Sequence, residues 1–576
     1  MDPRTIGKML PEYPAAYERA VVEGDVEMLY AKETNEETYR AYLALLEAAG
    51  FEKYTEAKLA ENLFATYTKD GVAVMCSFDP TDSTVHIIPD VITVLPPRAQ
   101  DVTLPNKFDK TVITQYCLNN FNNNCGMSYT IRLKDGRFLL FDGGCNDHED
   151  EIKLYNHMKS MCAEGDEPVI AAWFLSHAHG DHYDNFFALL NRYPQIKVEM
   201  MVYNLPTEAV LLEPQTHEGT FAPRIEPHTF EIGAPIVYAR TGQRFHFADT
   251  VVETIFVPED YYPEKLKPSR ENDHSLVFRV LSDGQVFMVL GDTERMGSAL
   301  MCRRYGKWLK ADIMQQAHHG YWAGSVELYQ LIDPVTVLWP SPMCWYYNLY
   351  NGNRDAVSNV VILESKNVKQ VLLSSLKTYD LELPYNPTEE YRPERAINHY
   401  ANGEVIFAAN MQDRKYLYEL GWSTLDIMDL NVEIVDYASP YIALEERDGK
   451  KGVRMYTNNY WGVNVLYPET LRGTEKFTVE LDLDVIREGE GLSVWYNDTD
   501  PVTCEGRSFY TLNRSGKCTL ALEVDRIAGT TDVYIDGQFV ETRINDSNDE
   551  GGVHLLCQRC EVFVFDVVIT AGCKHQ

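Results

Sequence analysis

The chain has 576 residues, more than a single hydrophobic core can hold, which predicts about three domains. Its 86 acidic and 52 basic residues give a net charge of −34, without a visible cluster of lysine and arginine. A small-molecule substrate fits this charge better than a long nucleic acid, because binding to phosphate backbones relies on clustered basic side chains. No apolar run reaches the roughly 18 residues that span a bilayer, and the first residues lack an apolar signal core. We therefore expect a cytoplasmic protein without membrane contacts.

Residues 1–105 are predicted to form a small α+β module. Thr34 and Glu37 have the spacing of a capping box, which marks the start of a helix. The Asp70-Gly71 turn lies between two apolar segments and indicates a β-hairpin. No catalytic or metal-binding motif is recognised in this segment, so the module is expected to serve packing or dimerisation. The predicted apolar stripe of its helix consists of Tyr39, Tyr42, Leu43 and Leu46.

A dense group of metal-ligating residue types follows the apolar segment 169–175, which is predicted to be a buried strand. His177 and His179 are two residues apart, so on an extended turn both can bind one ion. Asp181 and His182 fall on the following bend and can bind a second ion nearby. Imidazole and carboxylate ligands suit Zn²⁺, and a position without a protein ligand leaves room for water. The alternative is a histidine-rich surface turn without a metal.

Three further strand ends carry residues of the same kind. The apolar strand 138–141 ends in Asp142, and the apolar strand 286–290 is followed by Asp292. A third predicted strand, within 311–317, ends in the pair His318 and His319. A single strand-end aspartate is usually a turn residue. The order of these segments along the chain, together with the histidine-rich turn, is what gives the pattern its specificity.

The pattern His-x-His-x-Asp-His resembles that of the metallo-β-lactamase superfamily. The resemblance implies an αββα sandwich, predicted over residues 108–430, with strands and helices interleaved around a central site. It also implies that Asp142 supports the metal loop from behind the ligands and that Asp292 bridges two ions. One of His318 and His319 should bind the second ion, and His318 is favoured.

A narrower resemblance covers about residues 108–380. The segment 272–279, followed by Gly-Asp292 and the His-His-Gly run, resembles the metallo-hydrolase domain of the DNA-uptake competence protein and the phosphorylcholine esterases that act on teichoic acids. Many superfamily members have a third histidine for the first ion in a Gly-His turn, which this sequence lacks. The candidates for that role are His217, His228, His246 and His274. His274 is the closest to the motif; the alternative is an ordinary histidine at a strand edge.

Aromatic residues are frequent after the histidine pair. If they reach the pocket, they can stack on a substrate or surround a cationic head group. Ordinary packing in the core or on the surface is the alternative. The predicted pocket residues are Tyr321, Trp322, Trp345 and Tyr347.

The C-terminal region, residues 431–576, has short strands with regular spacing and glycine-containing turns, which indicates a β-sandwich. It weakly resembles concanavalin-like and laminin-G-type sandwiches, some of which bind sugars. Packing or oligomerisation is the favoured role, so a homo-oligomer is one possible assembly. Cys557 and Cys560 form a C-x-x-C, with Cys573 and His575 downstream, so a second zinc site is an alternative to ordinary buried thiols.

Together these features predict a metal-dependent hydrolase. One or two Zn²⁺ ions, with Mn²⁺ or iron as alternatives, would activate water to hydroxide. Asp181, His182 and Asp292 are the predicted catalytic residues, and Asp181 would orient the nucleophile. The expected substrate is a small phosphodiester or phosphoester. The alternatives are hydrolysis of a carboxylic ester, lactone or amide, and a carbohydrate-binding protein whose metal site is silent.

Overall fold

The structure is a computed structural model in which the chain divides into two compact units, Met1–Met343 with Val361–Pro393 and Cys344–Val360 with Glu394–Gln576. The finer predicted division into 1–105, 108–430 and 431–576 stays a prediction. Among the described helices, none has the length and apolar character needed to cross a bilayer. The structure describes residues 9–23, 26–92, 94–117, 126–145, 149–207, 209–211, 222–265, 271–320, 324–341, 358–392, 402–410, 441–456, 463–466, 474–489, 491–496, 508–544 and 553–574.

The N-terminal part of the first unit is one antiparallel sheet with one helix. Its elements are β1 (Glu18–Glu23), β2 (Val26–Ala31), α1 (Glu36–Ala48), β3 (Glu52–Leu59), β4 (Asn62–Lys69), β5 (Val72–Asp79) and β6 (Thr84–Val91). The strand order is β1-β2-β6-β5-β4-β3. The predicted hairpin is confirmed, because β4 and β5 join at Asp70 and Gly71, both with positive φ angles (49° and 80°). That backbone conformation suits a two-residue hairpin turn.

Helix α1 packs on this sheet through the predicted stripe. The cap differs from the prediction: Asn35, not Thr34, caps the start of the helix by accepting a hydrogen bond from the backbone N–H of Thr38 (2.9 Å). Thr34 is instead buried, and its hydroxyl lies 2.9 Å from the Tyr13 hydroxyl. The capping box was misplaced by one residue because both residue types serve as caps. The buried residues of α1 are Tyr39, Tyr42, Leu43 and Leu46.

Strands and helices are interleaved between residues 112 and 382. The elements are β7 (Val112–Gln115), β8 (Ser128–Arg132), β9 (Phe138–Asp142), α2 (Asp150–Ser160), β10 (Val169–Phe174), α3 (Gly180–Arg192), β11 (Lys197–Val198), β12 (Met201–Tyr203), α4 (Ala222–Ile232), β13 (Ile236–Tyr238), β14 (Arg244–Phe247), β15 (Thr250–Phe256), β16 (Val277–Ser282), β17 (Gln285–Val289), α5 (Arg295–Tyr305), β18 (Ile313–Gln315), α6 (Val326–Ile332), β19 (Thr336–Trp339), α7 (Asn359–Glu364), β20 (Gln370–Leu373) and β21 (Tyr379–Glu382). Two sheets result. The first has the order β13-β12-β10-β9-β8-β7-β21, with β11 beside β10, and the second has the order β14-β15-β16-β17-β18-β19-β20.

These two sheets share one apolar core. Phe141 and Phe174 of the first sheet stack with ring centroids 4.8 Å apart, and Phe278 of the second sheet meets both edge-on at 5.8 and 5.2 Å. The other face of the first sheet is covered by helices, where Trp173 stacks on Phe186 of α3 at 4.0 Å. The region is therefore mixed α/β and rich in sheet, as the sequence predicts.

The loops after β10 and β17 meet where the two sheets come together. Gly291, directly after β17, has a φ angle of 56°, and a Cβ atom there would lie 2.7 Å from the Cβ of Ser176, which follows β10. Such an approach leaves room only for glycine. The backbone N–H of Leu276 also donates to the Ser176 carbonyl (2.8 Å). Strand-end residues from both sheets are thereby brought to one place.

The second unit contains two antiparallel sheets. Its strands are β22 (Val405–Asn410), β23 (Tyr441–Arg447), β24 (Lys450–Tyr456), β25 (Val463–Leu466), β26 (Lys476–Arg487), β27 (Gly491–Tyr496), β28 (Ser508–Leu512), β29 (Gly516–Asp525), β30 (Thr530–Ile535), β31 (Gln538–Ile544), β32 (Val553–Gln558) and β33 (Glu561–Ala571). One sheet has the order β23-β24-β33-β26-β29-β30-β31, with β22 also beside β33, and the other has the order β25-β32-β27-β28. Side chains of both sheets form one buried cluster, and the predicted strands are confirmed.

The C-x-x-C lies at the turn between β32 and β33. The sulfur atoms of Cys557 and Cys560 are 3.0 Å apart and buried. Cys573 Sγ lies 4.0 Å from the Val524 carbonyl, and His575 falls outside the described residues. Within the described part of the chain, no group of three potential metal ligands includes these cysteines. A zinc site at this turn stays an untested alternative.

A buried arginine joins the N-terminal sheet to the sheet that bears Asp292. Arg304, at the end of α5, lies 3.0 Å from Asp79 Oδ2 and 2.8 Å from Asp260 Oδ1. All three side chains are less than 10% exposed, at 7%, 8% and 8%. Two buried carboxylates therefore depend on one guanidinium.

We expect Arg304→Met to lower the free energy of unfolding of the first unit by about 3–5 kcal/mol, because it leaves two buried carboxylates without their cation. Chemical denaturation of the full chain measures this. Arg303→Met is the matched control, since Arg303 pairs with Asp82 on the surface (2.7 Å, 56% exposed) and should cost less than about 1 kcal/mol. Equal losses in the two variants would contradict the buried bridge.

The imidazole of His86 makes folding sensitive to acid. Burial lowers its pKa to about 4 from the ordinary 6.5, so between these values the unfolded chain binds more protons. Its contribution is present above pH 6.5 and is lost as the pH falls towards 4, by up to about 3 kcal/mol. Since His86 stacks on Tyr30 at 5.0 Å, His86→Phe keeps the ring contact. The variant should lose less stability than the native chain between pH 7 and 4.5 in denaturation curves; identical losses would contradict this.

Candidate metal centre

Most of the predicted ligands come together from three strand ends. His177 and His179 lie in the loop after β10, and Asp181 and His182 lie in the first turn of α3. The bend predicted to carry Asp181 and His182 is therefore the start of a helix. The remaining ligating residue types follow β17 and β18: Asp292, His318 and His319.

Asp292 is the centre of the arrangement. Its side chain is 2% exposed and is surrounded by imidazoles. Burial alone would raise the pKa of this carboxyl, but the imidazoles of His182, His319 and His318 hold it well below its usual range. Asp292 is therefore an ionised acceptor deep in the protein. The distances from its Oδ2 to imidazole Nε2 atoms are 3.2 Å for His182, 3.5 Å for His319, 3.7 Å for His177 and 3.7 Å for His318.

Two groups of three side chains place one ligand atom each within 4.8 Å of one another. The first group is His177, His182 and Asp292, and the second is Asp181, His182 and His319. His182 belongs to both, so the two groups are adjacent. Within the part of the chain that the structure describes, no other groups of this kind occur.

A carboxylate contacts His182 at Nδ1, the ring nitrogen that faces away from Asp292. Its Nδ1 lies 2.7 Å from Asp142 Oδ2, which turns Nε2 towards Asp292. Asp142 also accepts hydrogen bonds from the backbone N–H and the hydroxyl of Ser176 (2.7 and 2.9 Å). Burial alone would lower the pKa of His182, but the surrounding carboxylates of Asp292, Asp142 and Asp181 raise it to about 10. The supporting role of Asp142 in metal binding stays a prediction.

His177 is presented as a neutral imidazole. Burial, reinforced by the neighbouring imidazoles of His182 and His179, lowers the pKa of His177 well below its ordinary value. Ser176 Oγ lies 3.0 Å from its Nδ1, and its Nε2 lies 2.9 Å from Nδ1 of His179. A neutral ring with one nitrogen engaged by a hydroxyl has a lone pair available for a cation.

The two adjacent histidines have different surroundings. Both have left-handed backbones (φ 43° and 55°), which turns the side chains in different directions. His319 Nδ1 donates to the Pro340 carbonyl (2.7 Å), and its Nε2 lies 3.3 Å from Asp181 Oδ2. His318 Nδ1 instead lies 3.3 Å from Glu294 Oε1. The geometry favours His319 as the ligand, in contrast to the predicted preference for His318.

The other predicted ligands lie outside both groups. His179 Nε2 is 2.6 Å from Glu271 Oε2, and its side chain is 32% exposed. Burial alone would lower the pKa of His179, but this carboxylate raises it. His274 is buried, which lowers its pKa to about 3, and its ring meets Tyr261 edge-on at 6.0 Å. The ligand roles of His179 and His274 stay predictions.

The remaining candidates for a third histidine are placed elsewhere or are not described. His228 is exposed beside Phe187 (ring centroids 4.9 Å apart), and His246 is on strand β14. His217 lies outside the described residues. The same holds for the four predicted pocket aromatics: Tyr321, Trp322, Trp345 and Tyr347.

Four polar residues at the site were not predicted from the sequence. Ser176 bonds both Asp142 and His177, and Glu271 contacts His179. Asn272 donates to Glu294 Oε1 (2.9 Å) and also lies 3.3 Å from His318 Nε2. Their only sequence signal is proximity to motif residues, since each is within a few positions of a predicted ligand or of the 272–279 segment. The missed residues are Ser176, Glu271, Asn272 and Glu294.

The donor set fits a divalent transition-metal ion. Imidazole nitrogens and carboxylate oxygens converge, a combination that suits zinc, manganese or iron. The buried Oδ1 of Asp292 makes no hydrogen bond to any residue that the structure describes. Such an atom is costly to leave without a partner, and a cation would satisfy it.

No protein-family model matches the sequence, and the search of curated proteins gives no match. Among solved structures, the chain is similar to CmlA, a diiron β-hydroxylase from Streptomyces venezuelae, with 11% identity and a TM-score of 0.32 over 48% of this chain and 55% of that one. This chain thus spans about half the length of CmlA. It is also similar to the metallo-β-lactamase fold protein YhfI from Bacillus subtilis, with 13% identity and a TM-score of 0.30 over 48% of this chain and 100% of that one.

The carbohydrate-binding module CBM66 from Bacillus subtilis has 13% identity and a TM-score of 0.17 over 23% of this chain and 94% of that one. At these scores the likeness carries no functional argument. The function must be argued from the site itself.

We expect His319→Ala to lose about one equivalent of bound metal, because its imidazole belongs to one of the two groups. His318→Ala should retain the metal content of the native chain, since His318 belongs to neither group and its Nδ1 lies 3.3 Å from Glu294 Oε1. Elemental analysis after dialysis measures both, with His228→Ala as an exposed histidine control. Loss of metal in His318→Ala and not in His319→Ala would show that His318, and not His319, binds the metal.

Proposed function

We propose that the protein is a metal-dependent hydrolase of the metallo-β-lactamase superfamily, and that its two packed sheets with their helices are the αββα sandwich of that superfamily. The observation that carries the proposal is the convergence of His177, His182, Asp292, Asp181 and His319 into two adjacent groups of potential ligands. Residues that follow three separate strands, β10, β17 and β18, meet there, in the order that the sequence motif requires.

A divalent ion held by these residues supplies a nucleophile from water at neutral pH and polarises the bond to be broken. His177, His182 and Asp292 would hold one ion, and Asp181, His182 and His319 form the adjacent group that could hold a second. His179 completes the first set if its Nδ1, which faces His177, turns towards the ion. Asp142 and Ser176 fix the orientation of the ligands and are not ligands themselves.

Asp181 is the residue best placed to handle the attacking water. Its side chain is 25% exposed, whereas those of Asp292 and His319 are at most 2% exposed. Burial alone would raise the pKa of Asp181, but the imidazoles of His182 and His319 hold it well below its usual range. It is therefore an ionised acceptor that can orient a water molecule by hydrogen bonding.

A small phosphodiester or phosphoester is the proposed substrate class. The support is the likeness of segment 272–279 to enzymes of that type and the net charge of −34, which disfavours long polyanions. The structure adds that Asn272, from this segment, reaches the site and lies 3.3 Å from His318 Nε2. An amide N–H₂ at that position can donate to an oxygen of the substrate.

With Zn²⁺ or Mn²⁺ added, we expect the purified chain to hydrolyse bis-p-nitrophenyl phosphate. Asp181→Ala should lower kcat/KM by at least about 100-fold, because it removes the group that orients the nucleophile. His228→Ala, an exposed histidine outside the site, should leave kcat/KM unchanged. The assay measures the release of p-nitrophenolate. The metal content is measured in the same samples.

Other outcomes separate the alternatives. Turnover of p-nitrophenyl esters, lactones or lactams alone would replace the phosphodiester by a carboxylic ester, lactone or amide as the substrate class. Full metal occupancy with no turnover of any probe would contradict a hydrolase and favour a carbohydrate-binding protein with a silent site.

A further inference from the structure

Strand β31, at one edge of the larger sheet in the second unit, is unusually apolar for an exposed edge strand. Strand β31 pairs with β30 on one side and has no neighbour on the other among the described strands. Its side chains Phe539, Val540 and Ile544 are 57%, 46% and 81% exposed. An edge strand of this kind is a template for pairing with another chain, and natural proteins usually protect such edges with charges or cover them.

The sequence of this edge is complementary to itself. In an antiparallel pair of two β31 strands centred on Thr542, Glu541 of each copy lies opposite Arg543 of the other. The next pair outward is Val540 of one copy opposite Ile544 of the other. Both charged residues therefore meet an opposite charge, and the two exposed aliphatic residues meet each other. Cross-strand pairs of these two kinds stabilise antiparallel sheets.

Within one chain these groups have weak partners. Glu541 Oε1 and Arg543 Nε are 4.0 Å apart, at the limit of an ion pair, with side chains 51% and 39% exposed. A bulge opposite Val533 and Tyr534 interrupts the pairing with β30 at Val540. The segment from Glu541 to Ile544 keeps a regular register, so it is the part of β31 that can accept another strand.

We propose that two copies of this chain pair through β31, antiparallel and centred on Thr542, to form one continuous sheet. The partner is a second copy because the charges complement each other only when the strand meets its own sequence in this register. If the two-fold axis instead lay between Glu541 and Thr542, Arg543 would lie opposite Val540, and both ion pairs would be lost. The proposal is independent of the metal centre and of its activity.

The experiment is sedimentation equilibrium of the full chain between about 1 and 100 µM, a range that covers the affinity of a small interface. The native chain should show a monomer–dimer equilibrium. Glu541→Arg and Arg543→Glu each place like charges opposite each other twice, so each should weaken dimerisation at least about 10-fold. The double exchange Glu541→Arg with Arg543→Glu recreates both pairs and should restore the dissociation constant to within about 3-fold.

Glu446→Arg is the matched control, because it makes the same change of charge at an exposed position of β23, the strand at the other end of this sheet. It should leave dimerisation unchanged. Circular dichroism of each variant checks that the strands are retained. A monomer at all concentrations would overturn the proposal, as would a dimer that is insensitive to both single variants. Weakening by both single changes without recovery in the double exchange would overturn the proposed register.

Discussion

The architecture of the first unit depends on one buried carboxylate. Asp292 is almost inaccessible to water, and a carboxylate in such a place is costly unless groups of opposite polarity surround it. Imidazoles from the segments after β10 and β18 do this, within 3.2–3.7 Å of its Oδ2. Several of those rings must be neutral to bind a cation, so the cluster is most stable when cations provide the positive charge. The same buried polar cluster that stabilises Asp292 is therefore the proposed metal site.

The scaffold keeps this cluster in place by joining the ends of two sheets. Gly291 allows the loop after β17 to approach Ser176 closely, and the backbone N–H of His318 donates to the Gly291 carbonyl (3.1 Å). Asp142 and Ser176 then orient His182 and His177 through their Nδ1 atoms. Each ligand ring is held at the nitrogen that faces away from the centre, which leaves Nε2 turned inward. Such indirect contacts set the geometry of metal sites as much as the ligands do.

Much of this could be predicted from the sequence because strand ends leave local signals. The apolar segments before Asp142, His177 and Asp292 are buried strands, and their end residues meet. The different surroundings of His318 and His319 could not be predicted, since they depend on backbone angles and on the carbonyl of Pro340 in a different loop. Contacts such as Glu271 with His179 were missed for the same reason. They join loops whose relative position is set only by the folded sheets.

The central claim is that the cluster around Asp292 binds metal ions. Anomalous diffraction from crystals grown with Zn²⁺, recorded on both sides of the zinc edge, tests it most directly. The account predicts one or two anomalous peaks about 2.0–2.2 Å from imidazole nitrogens and carboxylate oxygens of the two groups, with His319 and not His318 among the ligands. Zinc bound elsewhere, or no peak at these side chains at saturating Zn²⁺, would contradict the claim.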